Sequence, residues 1–312
     1  MEKYRFSVPE TRRMRVIVDT DCKNEADDQF ALAHFLMTPI FDIRGIVAAH
    51  FGNTDRFAPK TSVEASYDEI IKVMELMGLA GRYPVAQGAA GPIPDENTPI
   101  DSPGARLIIE EAMRDDERPL YVCLLGAITD LACAYLMEPR IAGRLTAVWV
   151  GGGTYPTGGR EFNLCGDINA VNVVFGSDIP VRQAPRDVYK QLNVSLAELQ
   201  LRVRPCGAIG KYLFEQMAEF NAVMGKTPGR WPHGETWCLG DQAAIAILME
   251  DYAAQTYSWI PAPRVRPDGI YGPGRMCRPI RVYHTVDSRA TLEDLYAKLM
   301  INYPPEFMKG FI

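Results

Sequence analysis

Short, almost unbroken apolar runs alternate along this chain with stretches whose apolar residues recur every three to four positions. The runs MRVIVD, IRGIVAAH, PLYVCLLG, LTAVWVGGG and IPVRQAP predict strands buried on both faces. Between them, ADDQFALAHFLM, SVEASYDEIIKVMELMGL, AITDLACAYLMEP and INAVNVVFGS carry helical spacing. Strand-helix alternation of this kind predicts an α/β fold with a mainly parallel central sheet flanked by helices. From about Val203 the pattern turns more helical, in IGKYLFEQMAEFNAVMG and DQAAIAILMEDY. The later PAPRVRPDGIYGPGRMCRPIRVYH, rich in Pro, Gly and Arg, predicts loop plus a late hairpin decorating the same domain, so residues 1–312 are expected to form one unit. In such sheets ligands bind beyond the carboxyl ends of the strands.

The first such end is crowded with acid. VIVDTDCKNEADDQFAL brings Asp19, Asp21, Asp27 and Asp28 together just after a β-branched run. Like charges this close repel unless a cation or shared protons offset them. Three readings compete. Asp27 and Asp28 are candidates to cap a helix amino terminus, which leaves Asp19 and Asp21 unexplained. Asp19 and Asp21 also form the Asp-x-Asp of a phosphoryl-transfer site, but Lys23 stands where Thr or Val is usual there, and a second aspartate pair is foreign to that pattern. In the third reading, strand-end and helix-start carboxylates converge on one hard cation.

Composition narrows the classes. The chain has 47% hydrophobic and 23% charged residues, ordinary for a globular protein with a sizeable core. A net charge of −6 and no basic stripe argue against a nucleic-acid partner. The first 18 residues hold no apolar run suited to a signal peptide or membrane span. Seven cysteines, none in a Cys-x-x-Cys pair, suggest neither a disulfide framework nor a zinc site. A reduced, cytoplasmic protein with no membrane partner is therefore expected.

The segment VDTD…ADDQFALA resembles the amino-terminal signature of the nucleoside hydrolase family, an Asp-x-Asp followed by an Asp-Asp pair. Further segments match in the family's order: GIVAAHFGN ending in Gly52-Asn53, LLGAITDLACAYLMEPRI, VWVGGG followed by EFNLCGDINAVNVVF, and GDQAAIA where the family has His-Asp-Pro and a small-residue helix. Together they span roughly residues 15 to 250.

The resemblance implies a calcium ion (Ca2+) that holds the attacking water and the ribose 2′- and 3′-hydroxyls. Its ligands by position are Asp21, Asp28, Asp241 and the carbonyl of Leu125, where the family has Thr. The resemblance also makes Asp21 the general base, and Asp27, Asn53, Glu161 and Asn163 the partners of the ribose hydroxyls. It implies a small riboside substrate, hydrolysis of the N-glycosidic bond with inversion at C1′, and a homodimer or homotetramer. Taken singly these residues have plainer readings: Asn53 as a turn residue, Asp241 as a helix cap, Glu161 and Asn163 as loop polar groups.

Three departures from the family pattern stand out. Five residues, Cys22 to Ala26, separate Asp21 from Asp27 where three beginning Pro-Gly are usual, which brings Asn24 and Glu25 towards the site. Gly240 replaces the histidine that in many members helps the base leave. The loop from Thr154 to Arg160 is short and lacks the Asn that commonly meets the 5′-hydroxyl. Substitute contacts for the leaving group are sought in GRWPHGETWCLGD, with His233, Glu235 and Trp237, and at His50. Two alternatives to an ordinary nucleoside hydrolase stay open: a hydrolase of another riboside, with a modified or non-purine base or extended at the 5′ end, and a ribose- or nucleoside-binding protein that keeps the metal and has lost turnover.

Overall fold

The computed structural model describes residues 4–52, 60–224, 234–249, 256–274 and 278–308. Its strands are β1 (Met14–Thr20), β2 (Phe41–Ala48), β3 (Val85–Gln87), β4 (Leu120–Leu124), β5 (Thr146–Val150), β6 (Val181–Ala184), β7 (Asn193–Ser195), β8 (Thr236–Cys238), β9 (Tyr257–Pro261), β10 (Arg264–Val265), β11 (Tyr271–Gly272) and β12 (Pro279–Tyr283). Eight of them form one sheet in the order β3-β2-β1-β4-β5-β6-β12-β9. Every neighbouring pair is parallel except β12 and β9. The predicted late hairpin is present as the ribbon β10-β11, while the antiparallel pair β9-β12 extends the main sheet. Two short ribbons, β7-β8 and β10-β11, stand apart.

Helices α1 (Asp28–Met37), α2 (Ser62–Leu76), α3 (Pro103–Met113), α4 (Thr129–Met137), α5 (Phe162–Gly166), α6 (Ile168–Phe175), α7 (Arg186–Tyr189), α8 (Leu196–Arg202), α9 (Gly207–Met224), α10 (Gln242–Met249) and α11 (Ser288–Asn302) cover the sheet. Strand alternation divides the core in two. Val16 and Val18 of β1 face a layer that includes Phe30, Ala243 and Leu295, while Ile17 faces one that includes Ile108, Leu131 and Val171. All ten residues of α1 are buried, which is why its sequence is apolar almost all round and not striped. No helix among the described residues is long and apolar enough to cross a membrane, and the six cysteines among them are free.

From β1 the chain builds outward through β2 and β3, then returns to place β4 on the other side of β1. The strand order therefore reverses between β1 and β4. Such a switch point opens a crevice at the carboxyl ends of the two strands, where open α/β sheets bind ligands.

Candidate active site

Asp21 is the first residue beyond β1, at that crevice. Its carbonyl accepts from the Asn24 amide at 2.8 Å, which turns the chain away from the sheet. Buried Cys22 and Ala26 anchor the loop, and the Gln29 side chain donates to the Cys22 carbonyl at 2.7 Å. Asp27 precedes α1 without capping it through its side chain. Its Oδ2 instead accepts from the Asp241 amide, at 3.4 Å, just before α10. Asp28, in the first turn of α1, accepts from the Thr20 hydroxyl at 2.5 Å. Capping of α1 thus fails to account for the pair.

Oxygens of Asp27, Asp28 and Asp241 all lie within 4.8 Å of one another. Asp21 adjoins them, with one buried oxygen, Oδ2, that has no hydrogen-bond partner among the described residues. Burial first, then the neighbouring carboxylates, pushes Asp21 and Asp241 well above the usual carboxylate range. Burial likewise raises Asp27 to about 7 and Asp28 to about 6. Packed acids of this kind ionise together only if positive charge joins them. Their donor set, all hard oxygen, fits a divalent cation such as Ca2+.

Leu125, just beyond β4, contributes its carbonyl to the same crevice, and the Asn163 side chain donates through Nδ2 to it at 2.7 Å and to the Val150 carbonyl at 2.8 Å. Asn163 thereby ties the ends of β4 and β5 together. A carbonyl oxygen has two lone pairs, so this bond leaves Leu125 able to bind an ion. Gly126 is required next to it: a Cβ there would come within 2.9 Å of the Asp21 carboxyl. Glu161, 4% exposed, is held on every side. Its Oε2 accepts from the amides of Gly152 (2.7 Å) and Leu164 (2.9 Å), its Oε1 from the Asn163 amide (3.2 Å) and the Tyr189 hydroxyl (3.0 Å).

A cavity of about 600 Å³ joins Asp21, Asp27, Asp28, Leu125, Glu161, Asn163 and Asp241. Asn24 and Glu25 of the longer loop also line it. Trp237 reaches the cavity but is 1% exposed and packs edge-on against Phe220, with ring centroids 5.7 Å apart, as a core residue does. His50 is not among the cavity-lining residues. It is buried against Thr129, whose hydroxyl donates to Asp167, and burial lowers its pKa to about 4. This placement separates His50 from the leaving-group role considered for it. Asp19 likewise faces away, beside Asp130, buried and without a hydrogen-bond partner among the described residues. Asn53 and His233 lie outside the described residues.

Tyr189, which carries no signal in the sequence, lines the cavity against Gly240. A Cβ at residue 240 would meet the Tyr189 ring at 3.0 Å, so the two positions share one space.

Comparison with known proteins agrees with this geometry. The family model for inosine-uridine preferring nucleoside hydrolases matches residues 16–293. A pyrimidine-specific ribonucleoside hydrolase, RihA, of Salmonella arizonae is 22% identical over 263 residues, covering 76% of this chain and 80% of its own. Among solved structures, a purine-preferring ribonucleoside hydrolase from Gardnerella vaginalis superposes with a TM-score of 0.73 at 19% identity, over 93% of this chain and 99% of its own. A plant nucleoside hydrolase, PpNRh1, gives 0.74 at 19% identity, over 92% and 98%. The chain belongs to the inosine-uridine preferring nucleoside hydrolase family, with the fold of a nucleoside N-ribohydrolase.

Proposed function

We propose that the protein hydrolyses the C1′–N bond of a riboside with Ca2+ as cofactor. The observation that carries this reading is the meeting of buried Asp21, Asp27, Asp28 and Asp241 at the β1-β4 switch point, inside one cavity. Asp21, Asp28, Asp241 and the Leu125 carbonyl would hold the ion. When bound, it supplies Lewis-acid polarisation to water and to the sugar diol. The Asp21 carboxylate accepts the proton of the attacking water. Asp27, Glu161 and Asn163 hold the ribose hydroxyls, and Asn53 joins them in this reading. Positive charge builds on the sugar as the bond to nitrogen breaks, and the surrounding carboxylates favour it. Attack from the Asp21 side alone inverts C1′. The same reading takes all 312 residues as one catalytic unit, assembled as a cytoplasmic homodimer or homotetramer.

A riboside panel with and without Ca2+ tests the proposal. Free sugar released only with the ion, and a melting temperature that rises with Ca2+, are the expected results, since a ligand of the native state stabilises it. Protein purified without chelator that carries no divalent ion and shows no Ca2+-dependent shift would overturn the metal assignment. Binding of nucleosides with no sugar released would overturn the catalytic one.

A further inference from the structure

The acids of the cavity account for the proposed chemistry, and its basic side chains do not enter it. Arg160, Arg186 and Lys190 line the same space as Asp21 and Asp241. The Arg186 guanidinium donates to the Arg160 carbonyl at 2.9 Å, which binds the two loops together. Lys190 follows one turn later, its amide bonded to the Arg186 carbonyl at 3.2 Å, so both side chains leave the same side of α7. Among the described residues none of the three forms an ion pair, whereas Arg202 and Arg264 elsewhere hold Glu293 and Glu96. Asp187, between them in sequence, acts on Tyr271. Glu25, from the β1-α1 loop, lines the same cavity. Arg160 and Lys190 are exposed and Arg186 half-buried, so these three cations are open to an anion arriving from solvent.

We infer that the substrate is a riboside carrying a phosphate on its 5′ carbon, a ribonucleoside 5′-monophosphate in place of a free nucleoside. The inference rests on the hydrolase reading of the site. Arg160 immediately precedes Glu161, the proposed partner of the ribose hydroxyls, and lines the cavity with it, so a ribose held by Glu161 would have a guanidinium within reach of its 5′ end. Guanidinium groups match phosphate oxygens in pairs, and an ammonium adds a point charge. The reaction then consumes one water. Its oxygen bonds to C1′, the C1′–N electron pair stays on the base nitrogen, one proton passes to Asp21 and the departing base gains one. Ribose 5-phosphate and free base result, with the phosphate ester untouched.

The test compares kcat/KM for UMP with uridine and for IMP with inosine, in the presence of Ca2+. The monophosphates are expected to lead by about 10- to 100-fold, the range of one or two charge-assisted contacts. Added salt and the variants Arg160→Ala and Arg186→Ala should shrink that ratio towards one. Ribose 5-phosphate should raise the melting temperature of the unaltered protein more than ribose does, a readout that needs neither a variant nor turnover. Nucleosides cleaved as fast as their monophosphates, with equal protection by the two sugars, would overturn the inference and leave the hydrolase reading standing. Orotidine, whose anion sits on the base, outrunning UMP would overturn the 5′ placement. If no riboside is cleaved, the hydrolase reading fails, and the two sugars alone decide whether the cavity holds an anion.

Discussion

Tyr189 and Gly240 exclude each other's bulk, and the consequence is chemical. By resemblance a histidine at residue 240 would assist the departing base, yet the ring of Tyr189 fills that space, with its hydroxyl turned to Glu161. General acid help typically contributes about 10² to 10⁴ in rate. A site without it should be slow on uridine and fast on nitrophenyl riboside, whose aryl leaving group needs no proton. If His233 has taken the role, His233→Ala should slow uridine far more than the aryl riboside; equal rates on both substrates, untouched by the substitution, would make the missing histidine irrelevant. Gly240→His alone should lower activity, because its side chain collides with Tyr189. The acids separate by similar logic. Asp21→Ala should cut kcat by about 10³-fold or more, since the proposed mechanism makes the residue both base and ligand. Asp27→Ala should act mainly through KM, and near-native turnover by Asp21→Ala would remove it from the role of base. Asp21, Asp27 and Asp28 were legible because they are neighbours in sequence. Asp241 was legible only through resemblance. Tyr189 and the arginines carry no pattern, because only the fold brings them to the cavity.

Elements whose environment is uniform announce themselves in sequence. β1, β2, β4, β5 and β6 lie within a covered parallel sheet, so they read as continuous apolar runs. Short β3, partly buried, did not. Neither did α3, although Ser102 caps it through the Ala105 amide at 3.0 Å and Pro103 opens it. α11 mixes charge with apolar residues so evenly that no stripe shows, and its charges prove to be structural. Asp294 on α11 bonds to His34 of α1 at 2.8 Å and to Lys298, which also donates to Thr38 at 2.9 Å. His34 in turn meets Gln242 of α10 at 2.7 Å, so one polar chain stitches three helices. His34 and Lys298 are nearly inaccessible, and removing their shared acid leaves Lys298 a buried cation with no carboxylate partner among the described residues. Asp294→Ala should therefore cost about 3 kcal/mol, read as a lower denaturation midpoint, and a change within error would show that the helices need no such link.

At the level of the whole molecule, stability should depend on pH through His50. Its Nδ1 faces the Gly52 amide at 3.4 Å and its Nε2 the Thr129 hydroxyl at 2.8 Å, an arrangement suited to the neutral ring. Burial lowers its pKa from 6.5 to about 4. The folded state thus binds this proton less readily than the unfolded chain. The contribution is complete above pH 6.5 and is lost as pH falls through 4, on the order of 3 kcal/mol in all. Denaturation midpoints across that window should fall less steeply for His50→Gln than for the parent; parallel curves would exclude the residue as their source. The order of the sheet also has a consequence during synthesis. Once β6 has left the ribosome, six strands from β3 to β6 have their partners, but β12, which covers the β6 edge, is among the last elements made. The nascent chain must carry that open edge, a template for wrong pairing, through the making of α7 to α10. It also carries three crowded carboxylates for which the fourth, Asp241, has yet to be translated. If the cluster holds the proposed ion, its capture is thereby postponed until most of the polypeptide exists, and a stalled or truncated chain would present an adhesive sheet edge with an incomplete ligand set.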